Sequence, residues 1–555
     1  MKLEKKLESK ILKKRLTISA IILFSVVFIG AVKNDIYRQI KDSQRTINNV
    51  YKYIITHYVD DINLERFTKM SIDNMLTELD PYTVYLVDDQ KSGIDMLTNG
   101  KYGGVGIQIG KRDNRITVIA PTDNSPAKEA GIQSGDVLIK IEGKDTKDMS
   151  MDDAAKLIRG KKGTDITLTI ERFTEDEPIE FVLTREDIPV KDVSFSGIVD
   201  ESIGYIRLTR FSKNSALEVE ESLNSLLQND ISSIVLDLRD NPGGLLNSAI
   251  SILDMFIQKG ELLVWTSGKA KQSNKKYYSK KAPLVPSDIR IAVLINGGSA
   301  SASEIIAGVI QDLDRGVIIG RKSFGKGLVQ TVYNIDRNKA LKVTTAKYYI
   351  PSGRLIQKSG YLPEDLLLDS TSTDTLFETI GGREVISGGG ITPDHIIELE
   401  KRKPVLLAAL RKGLFFSYVQ KHKHLYNSLE EVKEDPVLLE NLEEYIMNHE
   451  EDLDIKLDGE VNYLDTREIL RNIDSNHISI SGAVDLLDSY FEEVAITQFD
   501  KESQDIKDWL LMEFAKQLEG EKARMGISVK IDKDIIKAIN LLDDPFVYKE
   551  TFITQ

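Results

Sequence analysis

The chain has 555 residues, 41% hydrophobic and 29% charged; this is ordinary globular composition but too long for one core, so about three or four units are expected. A net charge of −14 excludes nucleic acid as the main partner, because phosphate binding needs a basic footprint. With no cysteine in the sequence, thiol catalysis, disulfides and cysteine-bound zinc are removed together, and any covalent catalyst must be something else.

Residues 1–16 carry seven Lys and Arg against two Glu, and Thr17 to Val32 is almost wholly apolar. No A-x-A cleavage pattern follows, so an uncleaved signal anchor over residues 1–33 is favoured over a cleaved signal peptide, whose removal would give a secreted periplasmic form. The basic flank belongs on the cytoplasmic side, so everything after Lys33 is expected beyond the inner membrane, in the periplasm or an equivalent extracytoplasmic space. Residues 34–97 have a helical pattern, with Val50, Tyr53, Ile54 and His57 on one face, and LDPYTVYL closes the segment with a turn at Asp80-Pro81.

Residues 98–185 read as a small β-rich domain. Gly104, Val105, Gly106 and Ile107 open a strand whose backbone N–H groups suit a peptide carboxylate, and the edge strand would pair with the peptide. SPAKEAGIQSGDVLIKIEG then supplies a helical turn, a tight turn at Gly135-Asp136 and a strand. Met151 to Arg159 forms the expected groove helix, and Asp165 to Arg172 another strand. This ordered set resembles a PDZ domain. Arg159 fits either a solvated helix end or, by that resemblance, a sensor of bound peptide.

Residues 186–400 alternate strands (Ile203–Leu208, Ile234–Leu238, Ile291–Ile295, Val317–Ile319) with helices marked by Leu223, Leu226 and Leu227, by Ala249, Leu253, Phe256 and Ile257, and by Ile305, Ile306, Val309 and Ile310. Such repetition predicts a mainly parallel sheet with its chemistry at the carboxyl ends of strands. An insertion at about 355–387, rich in Ser, Thr, Asp and Gly, serves equally as a flap or a surface loop. Residues 401–555 are expected to form a charged C-terminal helical domain; its His422 and His424 lack the carboxylate or cysteine neighbours of a metal site.

Two motifs end in strand-to-turn positions: NGGSASASEI around Ser301 and RKSFGKGLVQ around Lys326. Ser301-x-x-Glu304 also fits a capping box, in which the serine only satisfies an amide. The small residues beside it, however, leave its hydroxyl open, and the helix N-terminus favours an oxyanion there. Only His395 of six histidines lies in the α/β region, at its end, so a Ser-His-Asp triad is poorly supported. Lys326, between Gly325 and Gly327, is the alternative base if burial or positive neighbours lower its ordinary pKa of ~10.4 by several units. Gln330 is placed to hold its amine.

LDLRDNPGG, SASASEI and SFGKGLVQ, in that order after the upstream PDZ-like domain, resemble the C-terminal processing peptidases, or tail-specific proteases, of family S41. The resemblance runs from about Asn34 to Asp394. It implies a multidomain α/β protein with a helical arm, a PDZ domain, a crotonase/ClpP-like peptidase core and C-terminal helices. It also implies catalytic Ser301, Lys326 and Gln330, and an oxyanion hole from the amides of Ala302 and either Gly243 or Gly244. Residues 34–97 resemble a dimerisation arm, which implies a possible homodimer. No metal or organic cofactor is implied, and the expected substrates are proteins and peptides with free, apolar C-termini, cut near that end. The alternative is an inactive PDZ scaffold tethering proteins at the membrane.

Overall fold

The structure, a computed structural model, describes residues 37–553 apart from 113, 174, 361–374, 399–402, 449–466, 468–469 and 471–477. The expected membrane segment, residues 1–33, and much of the insertion at 355–387 lie outside the described residues. None of the described helices is long and apolar enough to cross a membrane.

The chain divides into two units, one ending at Leu79 and the other beginning at Asp80. In the first, helices 37–57 and Leu64–Thr77 are joined by a turn in which Asn63 Oδ1 accepts the Arg66 N–H at 3.0 Å, a helix cap. The Tyr51 ring lies tilted against that of Phe67, 5.8 Å between ring centres, and its hydroxyl lies 2.8 Å from that of Thr68.

The second unit begins with a correction. Val84–Val87, inside the span expected to be helical, is a strand paired antiparallel with Lys339–Lys342, and only Asp89–Asn99 after it is helix. A run of four apolar residues suits either state, and here the sheet decides it. The PDZ-like region forms a sheet with Ile107–Arg112 at one edge. In its strand Asp165–Glu171 every second residue, Ile166, Leu168 and Ile170, is buried, as a half-buried sheet requires. The facing helix Met151–Ile158 is capped by Ser150, whose hydroxyl accepts the Asp153 N–H.

The central sheet has the order Val193–Asp200, Ile203–Leu208, Ser233–Asp237, Arg290–Ile295, Val317–Gly320, His395–Ile396; its first pair is antiparallel and the rest are parallel. Its inner strands are buried on both faces, which explains their continuous apolar sequences. One face packs on helices Ser215–Leu227, Leu246–Leu253 and Ala302–Asp312. The other face, with Tyr205, Val235, Leu294 and Ile319, is covered by Met525, Val529, Ile535 and Leu541 from the last helices. Residues 401–555, expected as one helical domain, thus serve two cores. The helices of Pro404–Met447 pack with Ile478–Leu518 around Val419, Leu442 and Phe514, whereas Glu521–Glu550 closes the central sheet.

An antiparallel sheet stands beside the central one. Its long strand Lys339–Tyr349 pairs with Leu328–Asn334, with Val84–Val87 and with Leu262–Ser267. This sheet carries Gln330 and presents the turn that holds Lys326.

Candidate active site

Ser301 occupies the sharp turn between the strand Arg290–Ile295 and the helix Ala302–Asp312, with φ 55° and ψ −109°. A side chain at positive φ costs about 1–3 kcal/mol and persists only where its surroundings over-determine it. Here they do. The Ala300 amide donates to the Asn241 carbonyl at 3.0 Å, and the Ser303 hydroxyl donates to the same oxygen at 2.9 Å. The Ser301 amide donates to Glu304 Oε2 at 2.7 Å, and the Ser301 carbonyl accepts the Tyr348 hydroxyl at 3.2 Å.

Glu304 does more than cap its helix. Fully buried, it accepts the amides of Ser301 and Lys326 on Oε2, at 2.7 and 2.9 Å, and on Oε1 the Gly325 amide at 2.7 Å and the Ser323 hydroxyl at 2.6 Å. One carboxylate therefore clamps the serine turn to the lysine turn. Burial pushes its pKa up, against the pull of those four hydrogen bonds. Tyr348 adds a second tie, since its hydroxyl also reaches the Lys326 carbonyl at 2.5 Å. The Phe324 amide adds a third by donating to the Ser299 carbonyl at 3.0 Å.

The glycine loop lies against this turn. A Cβ on Gly243 would stand 2.6 Å from the Ala300 carbonyl oxygen and 2.9 Å from the Ala302 nitrogen; one on Gly244 would stand 2.1 Å from the Phe211 carbonyl oxygen. Their φ angles of 93° and 152° also exclude other residues at little strain. The Gly243 amide is spent on Asn241 Oδ1 at 2.9 Å. The amides of Gly244 and Ala302 donate to nothing among the described residues, which leaves them as the two candidate oxyanion donors.

The Lys326 side chain lies against an aromatic ring. Its Nζ lies 4.6 Å from the centre of the Tyr82 ring and makes no hydrogen bond to Ser301 among the described residues. Its pKa is lowered chiefly by burial and then by Lys342, while Glu304 and Asp80 act against both. Gln330 is not bonded to the lysine either; its Nε2 donates to Thr344 Oγ1 at 3.2 Å. His395 bonds Thr551 of the last helices at 2.8 Å.

The glycine loop is anchored from behind. Arg239, in LDLRDNPGG, pairs with Asp237 at 2.7 Å, Asp532 at 2.9 Å and Asp534 at 3.0 Å. Asp532 in turn caps the helix Lys533–Asp543. A cavity of ≈ 640 Å³ separates the PDZ-like edge strand from the helix Met151–Ile158. Of the four residues expected to meet a carboxylate, Gly106 and Ile107 line it; Val105 is buried in the domain core and Gly104 pairs with Glu186. Arg159 also lines the cavity, exposed and 5.7 Å from the Tyr102 ring.

A family model for the PDZ domain matches residues 117–172, and one for peptidase family S41 matches 202–366. A carboxy-terminal-processing protease of Bartonella bacilliformis is 40% identical over 320 residues, which span 57% of this chain and 73% of that protein. The chain belongs to peptidase family S41. A probable CtpA-like serine protease of Staphylococcus aureus is 33% identical over 64% of this chain and 71% of its own length. Among solved structures, a photosystem II D1 C-terminal processing protease matches at 25% identity over 62% of this chain and 85% of that one, with TM-score 0.36. This S41 peptidase thus combines a PDZ domain with a peptidase core in a multidomain α/β chain. Sequence reasoning missed Asn241, Tyr348 and the Arg239 anchor, and saw Glu304 only as a cap. The Ser301–Glu304 spacing was the one available signal for the clamp.

Proposed function

We propose that this S41 peptidase is a serine endopeptidase that takes protein C-termini in its PDZ groove and cuts near that end with Ser301 and Lys326. The observation that carries the proposal is the Glu304 clamp, which fixes the amides of both residues on one carboxylate oxygen. An inactive scaffold has no use for such a tie, nor for two adjacent uncommitted amides.

For the reaction, neutral Lys326 swings from the Tyr82 ring to Ser301 and takes the proton from Oγ as Oγ bonds to the peptide carbonyl carbon. The carbonyl oxygen gathers charge facing the Ala302 and Gly244 amides. The ammonium then gives its proton to the leaving amine as the C–N bond breaks. Water, deprotonated by the same lysine, bonds to the acyl carbon, and the lysine returns that proton to Oγ as the bond between the acyl carbon and Oγ breaks, which releases the acid and restores Ser301 and the neutral base. Gln330, on the strand Leu328–Asn334 that follows the lysine turn, steadies the amine when it swings in. Arg159, beside the groove, senses the occupied state. Residues 1–33 anchor the chain in the inner membrane, with the catalytic part on the periplasmic side, and residues 34–97 pair two copies.

Peptides with apolar C-termini test the chemistry by mass spectrometry. Ser301→Ala and Lys326→Ala should each abolish cleavage and leave peptide binding at the PDZ domain intact. Wild-type-like cleavage by Lys326→Ala would remove the dyad.

A further inference from the structure

We infer that Tyr82 is a positioning residue for Lys326: its ring receives the protonated amine and keeps it off Ser301. This rests on the assignment of Lys326 as the base. Nothing in the peptidase motifs points to Tyr82, which stands 244 residues before the lysine and belongs to the turn LDPYT.

The contact is a built one. Asp80, itself buried, accepts the Tyr82 amide at 2.9 Å and the Thr83 hydroxyl at 2.8 Å, and so shapes the turn that presents the ring. On its other side Asp80 accepts the Thr344 hydroxyl at 3.0 Å, and the Thr344 amide donates to Thr83 Oγ1 at 3.1 Å. Strand Val84–Val87, zipped to Lys339–Lys342, fixes the chain immediately beyond. Thr344 is also the residue that receives Gln330. The segment that carries Tyr82 is therefore joined through Asp80 and Thr344 to the strand that follows the lysine.

The face of an aromatic ring attracts a cation and has little hold on a neutral amine. With Nζ 4.6 Å from the ring centre, the parked position favours protonated lysine. Loss of the proton weakens that hold and frees the amine to reach Ser301, the position where the neutral form works. The other groups acting on Lys326 are Lys342 on the long strand, which disfavours its charge, and Glu304 on the serine helix and Asp80 in the turn, which favour it. Tyr348, buried beside Glu304, stays neutral because burial raises its pKa well above its usual value. The ring is thus the contact in this set that can be removed without changing a formal charge.

The experiment measures kcat/KM against pH for the full chain and for Tyr82→Phe and Tyr82→Leu, with Lys326→Ala alongside. Leucine keeps apolar cover but has no π face. The acid limb of Tyr82→Leu should move to lower pH by about half to one and a half pH units, equivalent to ~3–30-fold in the protonation equilibrium; Tyr82→Phe should keep the wild-type limb. In parallel, the rate of Lys326 acylation by acetic anhydride, read by peptide mapping, should rise in Tyr82→Leu at a fixed pH below the limb. An unmoved limb with unchanged labelling, identical shifts in both variants, or lost activity without a shift would overturn the inference. If Lys326→Ala is still active, the base assignment fails instead; if it is dead while Tyr82→Leu is unshifted, only the role of Tyr82 falls.

Discussion

The turn that carries Ser301 and the side chain of Lys326 belong to one site but are held by different means. Around Ser301 the backbone is bonded on every side, to Asn241, Glu304 and Tyr348, and the glycine loop leaves no room for another atom. The Lys326 backbone is equally fixed, by Glu304 and Tyr348, yet its side-chain nitrogen rests against one aromatic face. Electrostatic preorganisation is effective where the groups need not move during reaction, and the amides and the serine turn meet that condition. On the proposed mechanism Lys326 carries the proton and must move, and a single cation–π contact, worth about 0.5–2 kcal/mol, is weak enough to break in each cycle. The site thus has a heavily bonded frame and, on the proposed mechanism, one side chain that moves.

Breaking the frame should have the largest effect. Glu304→Gln puts an NH₂ group against two of the four donors that point inward, either the Ser301 and Lys326 amides or the Gly325 amide and Ser323 hydroxyl, and Glu304→Ala leaves all four unpaired. Each orphaned buried donor costs about 1–3 kcal/mol. Both variants should lose cleavage to the Ser301→Ala background and melt at clearly lower temperature. A Glu304→Gln enzyme with near wild-type melting and turnover would show that the two turns do not depend on the clamp.

A smaller loss is expected from the rear anchor of the glycine loop. Arg239→Ala leaves Asp237 buried, with only Arg207 at 3.9 Å as a cation among the described residues, and unties Asp534 from the loop. Removing one partner of a buried ion pair costs about 3–5 kcal/mol. The more informative variant is Asp534→Asn, which leaves Arg239 its bonds to Asp237 and Asp532. It should lower kcat by less than the ~10²–10³-fold lost when a whole oxyanion donor is removed, with KM for peptide unchanged. A change in KM alone would mean that the anchor serves binding and not the frame.

How much of this could be read beforehand follows the same division. That the turns of Ser301, Lys326 and the two glycines come close was legible because each sits in a local motif whose small neighbours announce a close approach. Glu304 was half legible. Its bond to Ser301 spans three residues, but those to Gly325 and Lys326 span 21 and 22, and no short pattern records them. The Tyr82 contact and the Asp532 and Asp534 anchor were invisible, because pairings across hundreds of residues are set by the sheet and not by spacing. The same cause hid the strand Val84–Val87, whose partner lies in Lys339–Lys342, and the destination of the last helices. The apolar pair Met525 and Val529 reads as one helical face but does not say which sheet it covers.

The smallest effect concerns the mobile side chain and gives the finest test of the comparison. Lys342 is itself partly buried, a condition that lowers its own pKa, and its charge disfavours that of Lys326. Lys342→Met keeps the apolar stem and removes the charge. Lys326 then holds its proton more firmly, its pKa rises, and the acid limb of kcat/KM should move to higher pH, opposite to the shift expected of Tyr82→Leu. The displacement should be a fraction of a pH unit and should shrink with added salt, since a partly exposed charge is screened. Melting should change little, because the serine frame is untouched. A limb moving to lower pH in Lys342→Met, or one insensitive to salt, would mean that charge at this position does not govern the lysine, and burial alone would have to account for its readiness to act as a base.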